Sequence, residues 1–218
     1  MSLLEFKNVC YEDQGKSILK DINLDIEEGD FVSLVGPSGS GKSTLLKLCN
    51  NLISPSGGTI YYKGKSILEY DPIELRKNIS YCFQMPFLFG STIKDNIVFP
   101  YYIRNLKVDK KRTEELLSLF QFSSRCIEKS IDNLSGGERQ RIALVRTLLF
   151  KPEVLLLDEV TSALDKVNVE IVEDVIKSLN QEGITVISIT HNLEQAKRMG
   201  NKLLTIENGK IISLEVLR

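Results

Sequence analysis

The chain has 218 residues, 42% hydrophobic and 26% charged, and its 28 basic and 29 acidic side chains leave a net charge of −1. That length fits one domain, or one core with a substantial insertion, and buries enough surface to fold without disulfides. The composition excludes a disordered, collagenous or coiled-coil chain, and the absence of a basic excess gives no support for nucleic acid as a partner.

The cysteines Cys10, Cys49, Cys82 and Cys126 form no CxxC pair and lie among apolar neighbours. Buried, reduced cytosolic thiols are therefore expected rather than a zinc site or a disulfide frame. The first ten residues, MSLLEFKNVC, lack the basic-then-apolar pattern of a signal peptide. No apolar run approaches the roughly 20 residues of a membrane-spanning helix, so a membrane role is expected only through a partner.

In chain order, Leu3–Tyr11 and Ile18–Ile26 alternate around a polar turn and predict a hairpin. Phe31–Val35 predicts a buried strand, Ser43–Leu52 a helix that ends near Asn50-Asn51, and Thr59–Tyr62 another strand. Ile79–Phe83 reads as a short strand before an apolar loop broken by Pro and Gly, residues 84–90. From Ser91 to Phe150 the pattern is helical, with Leu116, Leu117, Leu119 and Phe120 expected on one face and Pro152 as a stop. Val154–Leu157 and Thr185–Thr190 flank a helical stretch, Asn168–Asn180, which is the pattern of a parallel sheet covered by helices. Asn208-Gly209 predicts a closing hairpin.

Between the strand Phe31–Val35 and the following helix stands Gly36-Pro37-Ser38-Gly39-Ser40-Gly41-Lys42-Ser43, then Thr44. It matches GxxxxGK[ST] in the strand–loop–helix context that this phosphate-binding motif requires. Its glycines let backbone N–H groups converge on phosphate oxygens, Lys42 would reach the β- and γ-phosphates, and the Ser43 hydroxyl would ligate Mg²⁺. Asp158-Glu159 follows the apolar run Val154–Leu157, at the carboxyl end of a predicted strand, where ligands gather in open parallel sheets. Asp158 is placed to hold Mg²⁺ and Glu159 to deprotonate water; taken alone Glu159 reads better as a helix-start carboxylate, and the phosphate loop beside it turns the preference to catalysis.

Ser135-Gly136-Gly137-Glu138 precedes a helix. Ser135 with Glu138 reads as a capping box, yet a glycine-eased helix start also makes a second anion site. That second site would serve the nucleotide of another copy in a two-fold dimer. The residue chemistry leaves the two readings even.

Gly36–Ser43 (Walker A), Leu134–Gln140 (LSGGERQ) and Val154–Glu159 (Walker B), in that order and spacing, resemble an ATP-binding-cassette (ABC) ATPase across nearly the whole chain. The resemblance implies a P-loop α/β fold: a mostly parallel core, an N-terminal antiparallel β-subdomain and an inserted α-helical subdomain. Residues 1–90 and 151–218 would form the core and 91–150 the helical part of a single ATP-binding domain. It also implies a head-to-tail homodimer that closes on two ATP molecules, each covered by the other copy's Ser135, Gly136 and Gly137. By resemblance Tyr11 stacks on adenine, against a plain reading as a core aromatic. Gln84 contacts Mg²⁺ and the lytic water, against an ordinary loop residue. Asp165 crosses the dimer interface, against a helix-start carboxylate. His191, the single histidine, contacts the γ-phosphate, and its place after a predicted strand favours that role.

The apolar segment Met85–Phe89 would then present a patch to a transmembrane permease subunit, or else fold inward as a satellite core. The expected protein is an ATP-hydrolysing transporter subunit, peripheral on the cytoplasmic face of the cell membrane. Ser80–Cys82, Gln84, Leu88–Gly90, Thr92, Asp95-Asn96 and Phe99–Asn105 resemble the ATP-binding subunits of bacterial iron or metal exporters. Phosphate or amino-acid import, a soluble non-transport ABC protein and a nucleotide kinase stand as alternatives.

Overall fold

The computed structural model describes residues 2–217, apart from the side chain of Ser124. The strands are β1 (Ser2–Asp13), β2 (Lys16–Glu27), β3 (Phe31–Val35), β4 (Gly57–Tyr62), β5 (Lys65–Ser66), β6 (Ile79–Cys82), β7 (Val154–Asp158), β8 (Thr185–Ile189), β9 (Lys202–Glu207) and β10 (Lys210–Val216). The helices are α1 (Lys42–Cys49), α2 (Pro72–Asn78), α3 (Ile93–Tyr102), α4 (Lys110–Leu119), α5 (Gly136–Leu148), α6 (Lys166–Gln181) and α7 (Leu193–Met199).

Alternation builds the first sheet, of order β2-β1-β4-β5. Leu4 faces Ile26, Phe6 faces Leu24 and Val9 faces Ile22 across the antiparallel β1–β2 pair. All six are buried while the polar residues between the β2 positions stay out, the period-two pattern of a half-covered sheet. The second sheet, of order β10-β9-β3-β8-β7-β6, is the continuous apolar kind. β3 runs parallel to β8 and β9, and β7 parallel to β8. Leu155, Leu156 and Leu157 are wholly buried in sequence, as a strand covered on both faces requires. Each contributes about 1.5–3 kcal/mol by leaving water.

The chain divides into two compact units. One comprises residues 2–81, 152–159 and 179–217, the other 82–151 and 160–178. The second has its own helical core, including Ile93, Ile97, Tyr101, Leu116, Phe120, Ile142 and Val145. Among the described residues, no helix is long and apolar enough to cross a membrane.

Several local expectations are corrected. α1 stops at Cys49, beside the expected end near Asn50-Asn51, where Asn51 takes a left-handed φ of 52° and the Leu52 N–H folds back to the Lys47 carbonyl. α2 and α7 went unforeseen; at seven residues each they are too short for a clear helical period. Their starts were nonetheless announced by side-chain caps. Asp71, before Pro72, accepts from Ile73 and Glu74, and Asn192 accepts from Gln195. Leu119 is exposed, whereas Leu116, Leu117 and Phe120 form the buried stripe. All four cysteines are free, but only Cys49 and Cys82 are buried, and burial pushes their thiols up to about 12 and about 11. Cys10 and Cys126 are half-buried instead; Cys10 lies where β1 shifts register against β2, and its sulfur accepts from the Asp21 N–H.

Candidate nucleotide site

β3, β8 and β7 are parallel neighbours, so their carboxyl ends share one edge. β3 ends at Val35 before the glycine loop, β7 at Asp158 before Glu159, and β8 at Ile189 two residues before His191. Three segments far apart in sequence thus converge where α/β sheets bind ligands.

The loop is glycine where glycine is required. Gly36 has φ 145°, and a Cβ there would sit 2.0 Å from the Ile206 carbonyl oxygen. Gly41 has φ 104°, and a Cβ there would meet the Leu19 side chain at 2.6 Å. Gly209 donates its N–H to the Ser40 carbonyl, which pins the loop to the β9–β10 turn. Leu19 also pairs with Tyr11 across the first sheet, so the strand that carries half-buried Tyr11 is packed to the loop through Leu19. Pro37, Ser38 and Gly39 are exposed, and Thr44 is half-buried in the first turn of α1.

That first turn has neither a side-chain cap nor an acidic residue. Its amides are left for an external anion, favoured by the positive end of the helix. The Ser40 hydroxyl is buried without a hydrogen-bond partner. Lys42, buried in the loop, donates from Nζ to the carbonyls of Gly36 and Pro37, both at 2.9 Å. Burial lowers its pKa, opposed by the nearby carboxylates of Glu159 and Asp158. An uncapped helix start, an orphan hydroxyl and an ammonium held over the loop together fit a polyphosphate.

Ser43 donates its hydroxyl to Asp158 Oδ1 at 2.9 Å. Among the described residues no cluster of three or more His, Cys, Asp and Glu side chains could hold a metal. Mg²⁺ needs no such cage, because it takes one or two protein oxygens and completes its shell with phosphate oxygens and water; Ser43 and Asp158 fit that donor set. Tyr81 on β6 donates its hydroxyl to Asp158 Oδ2 at 2.6 Å. Sequence reasoning did not single out Tyr81 as part of the site, and no local signal could, because only strand order puts β6 beside β7.

Glu159 stands at φ 50°, a left-handed backbone that costs a non-glycine residue about 1–2 kcal/mol. Its Oε1 lies 2.6 Å from His191 Nε2. Glu159 is half-buried and His191 exposed.

The remaining candidates fall in the second unit. Ser135 and Glu138 form the expected capping box: each side chain accepts from the other's N–H, at 3.2 and 2.8 Å. Ser135 and Gly136 are exposed. A Cβ on Gly137 would come within 2.7 Å of the Asn168 amide, so glycine is required for that approach. Asp165 accepts from the Asn168 backbone and side chain at 2.9 and 2.6 Å and caps the start of α6. Gln84 is exposed in its loop. Met85 and Phe87 are exposed, whereas Leu88 is buried, so the apolar segment is part patch and part anchor.

Comparison with known proteins agrees with this geometry. A family model described as ABC transporter matches residues 19–162. The chain is similar to "Probable iron export ATP-binding protein FetA" of Escherichia coli K12, with 41% identity over 206 residues covering 94% of this chain and 91% of that protein. It is also similar to "Glycine betaine/carnitine/choline transport ATP-binding protein OpuCA" of Bacillus subtilis, 35% identical over 94% of this chain and 56% of that protein. Among solved structures, a dimeric post-hydrolysis state of the ATP-binding cassette MJ0796 bound to ADP and Pi superposes with a TM-score of 0.87. It shares 33% identity, and the match covers 99% of both chains.

Proposed function

The chain belongs to the ABC transporter family and is an ATPase with the nucleotide-binding fold of that family; from that premise we propose how its residues share the work. Residues 1–218 act as one ATP-binding domain. ATP lies with its phosphates in the loop Gly36–Ser43, its adenine against Tyr11 and its γ-phosphate toward His191. Glu159 takes the proton of the attacking water, and His191 steadies the carboxylate from 2.6 Å. Ser43 and Asp158 would hold Mg²⁺, which would supply neutralisation of charge on the phosphoryl oxygens. Lys42 leaves its loop carbonyls to bind the same oxygens.

The single observation that carries this reading is the common edge of β3, β8 and β7, which brings Lys42, Ser43, Asp158, Glu159 and His191 to one place. Ser135, Gly136 and Gly137 serve a second copy, head to tail, with Asp165 at the seam. The solved dimeric cassette with ADP and Pi supports that arrangement by similarity.

In this reading the dimer drives a transmembrane permease subunit from the cytoplasmic face of the membrane, docked at Met85–Phe89. Similarity to the iron export protein favours metal export, iron first. Similarity to the glycine betaine/carnitine/choline transport protein favours solute import as the second reading.

The test mixes a Lys42→Ala chain with a Ser135→Arg chain, each inactive alone. Random pairing leaves one intact seam in half of the dimers, so about a quarter of wild-type activity should return. No recovery, although the two chains pair, overturns the shared site.

A further inference from the structure

The loop that follows Gln84 is clamped by two side chains outside the nucleotide machinery. Asn96, on α3, is wholly buried. Its Oδ1 accepts from the Phe89 N–H at 2.8 Å, and its Nδ2 donates to the carbonyls of Phe89 and Thr92 at 2.9 and 3.0 Å. One amide thus reads both backbone groups of a single loop residue. Arg146, in the last turn of α5, donates from Nη1 to the same Oδ1 at 3.1 Å. Its guanidinium carbon lies 4.5 Å from the centre of the Phe89 ring. Phe89 also packs on Phe99 at 4.8 Å and meets Phe87 edge-on at 5.3 Å.

Stability alone is a poor account of this arrangement. Among the described residues no carboxylate pairs with Arg146, and burial lowers its pKa. A half-buried guanidinium without an acid carries a desolvation cost, and an apolar pair of similar volume would fill the space at lower cost. What an apolar pair cannot supply is a directional link. The amide fixes Phe89 to α3, and the planar cation stacked on its ring fixes it to α5. α5 begins at Gly136, directly after Ser135, and Arg146 stands eleven residues beyond Ser135, about 16 Å along a rigid rod. At the other end of the link, Met85 and Phe87 are 82% and 70% exposed.

We propose that Asn96 and Arg146 are positioning residues that couple the Met85–Phe89 loop to the signature-bearing helix α5, so that ATP held under Ser135 and displacement of the loop bias each other. The inference rests on the dimeric ATPase reading above. Such coupling is reciprocal by thermodynamic necessity, and establishing it requires a measurement of coupling rather than contact alone.

The chain contains no tryptophan, so Phe87→Trp places a single reporter on the exposed part of the loop. In a full-length chain that also carries Glu159→Gln to prevent turnover, MgATP is expected to shift the indole emission. Adding Arg146→Lys, which keeps the charge but loses the planar stack, should cut that shift at least fivefold. Asn96→Asp, which removes the donor to the Phe89 carbonyl, should do the same. ATP affinity measured by calorimetry should stay within twofold in both. Undiminished shifts in folded variants overturn the proposal, as does a parent chain that binds ATP without any shift. If both variants lose ATP affinity and thermal stability together with the shift, the two residues are structural only and the proposal falls. A parent chain that binds no ATP overturns the functional reading itself, a result that calorimetry separates from loss of coupling.

Discussion

His191 Nε2 lies 2.6 Å from Glu159 Oε1, across a separation of 32 residues. The contact exists because β7 and β8 are parallel neighbours in register, Asp158 beside Ile189, and because Glu159 turns left-handed, at φ 50°, immediately after its strand. A relaxed extended residue there would continue the strand direction. Backbone strain of this kind collects at functional sites because the surrounding structure holds it in place.

Glu159→Gln is expected to lower turnover by about 10²–10⁴-fold, the span of a lost general base, while ATP binding persists. Steady-state hydrolysis beside equilibrium nucleotide binding checks both halves, and near-normal turnover removes Glu159 from the chemistry. The backbone carries a separate prediction. Glu159→Gly relieves the left-handed strain and Glu159→Ala does not, so the glycine variant should be the more stable by about 1 kcal/mol in denaturant unfolding. Equal stabilities would mean that φ 50° costs nothing here.

Tyr81→Phe removes the 2.6 Å hydrogen bond to Asp158 Oδ2 and leaves the loop untouched. A partner that orients a ligating carboxylate is worth about 10–100-fold in metal affinity. The Mg²⁺ concentration for half-maximal hydrolysis should therefore rise at least about tenfold, with little change in ATP affinity measured without metal. An unchanged Mg²⁺ dependence would show that Asp158 needs no orienting phenol.

Glu138 gives a pH prediction. The Ser135 backbone N–H holds its carboxyl below the ordinary value of 4.5, assisted by Lys129 and the Ser135 hydroxyl. A carboxylate whose folded pKa is depressed contributes stability above its unfolded pKa and loses it as pH falls through the folded value. Thermal stability should therefore decline below about pH 5, and Glu138→Gln should be less stable at neutral pH and show a shallower acid decline. Parallel curves for the two proteins would refute the capping contribution.

Local chemistry in the sequence was enough for the glycine loop, the capping box at Ser135 and the two kinds of strand. Each follows from a few adjacent residues: glycine where φ is positive, a serine three residues before a glutamate, and apolar runs that alternate or do not. α2 and α7 were legible only in their caps, Asp71 and Asn192, since seven residues carry too little period to register.

What adjacency cannot carry is partnership across the sheet. That Tyr81 meets Asp158, that Leu19 packs under Gly41 beside the Tyr11 pairing, and that Asn96 clamps Phe89 all depend on strand order and helix packing. Residue types and short-range spacing determined which groups this protein has for binding phosphate. Only the folded chain decided which of them meet, because hydrogen bonds act over about 3 Å and only packing of the whole core brings distant segments that close.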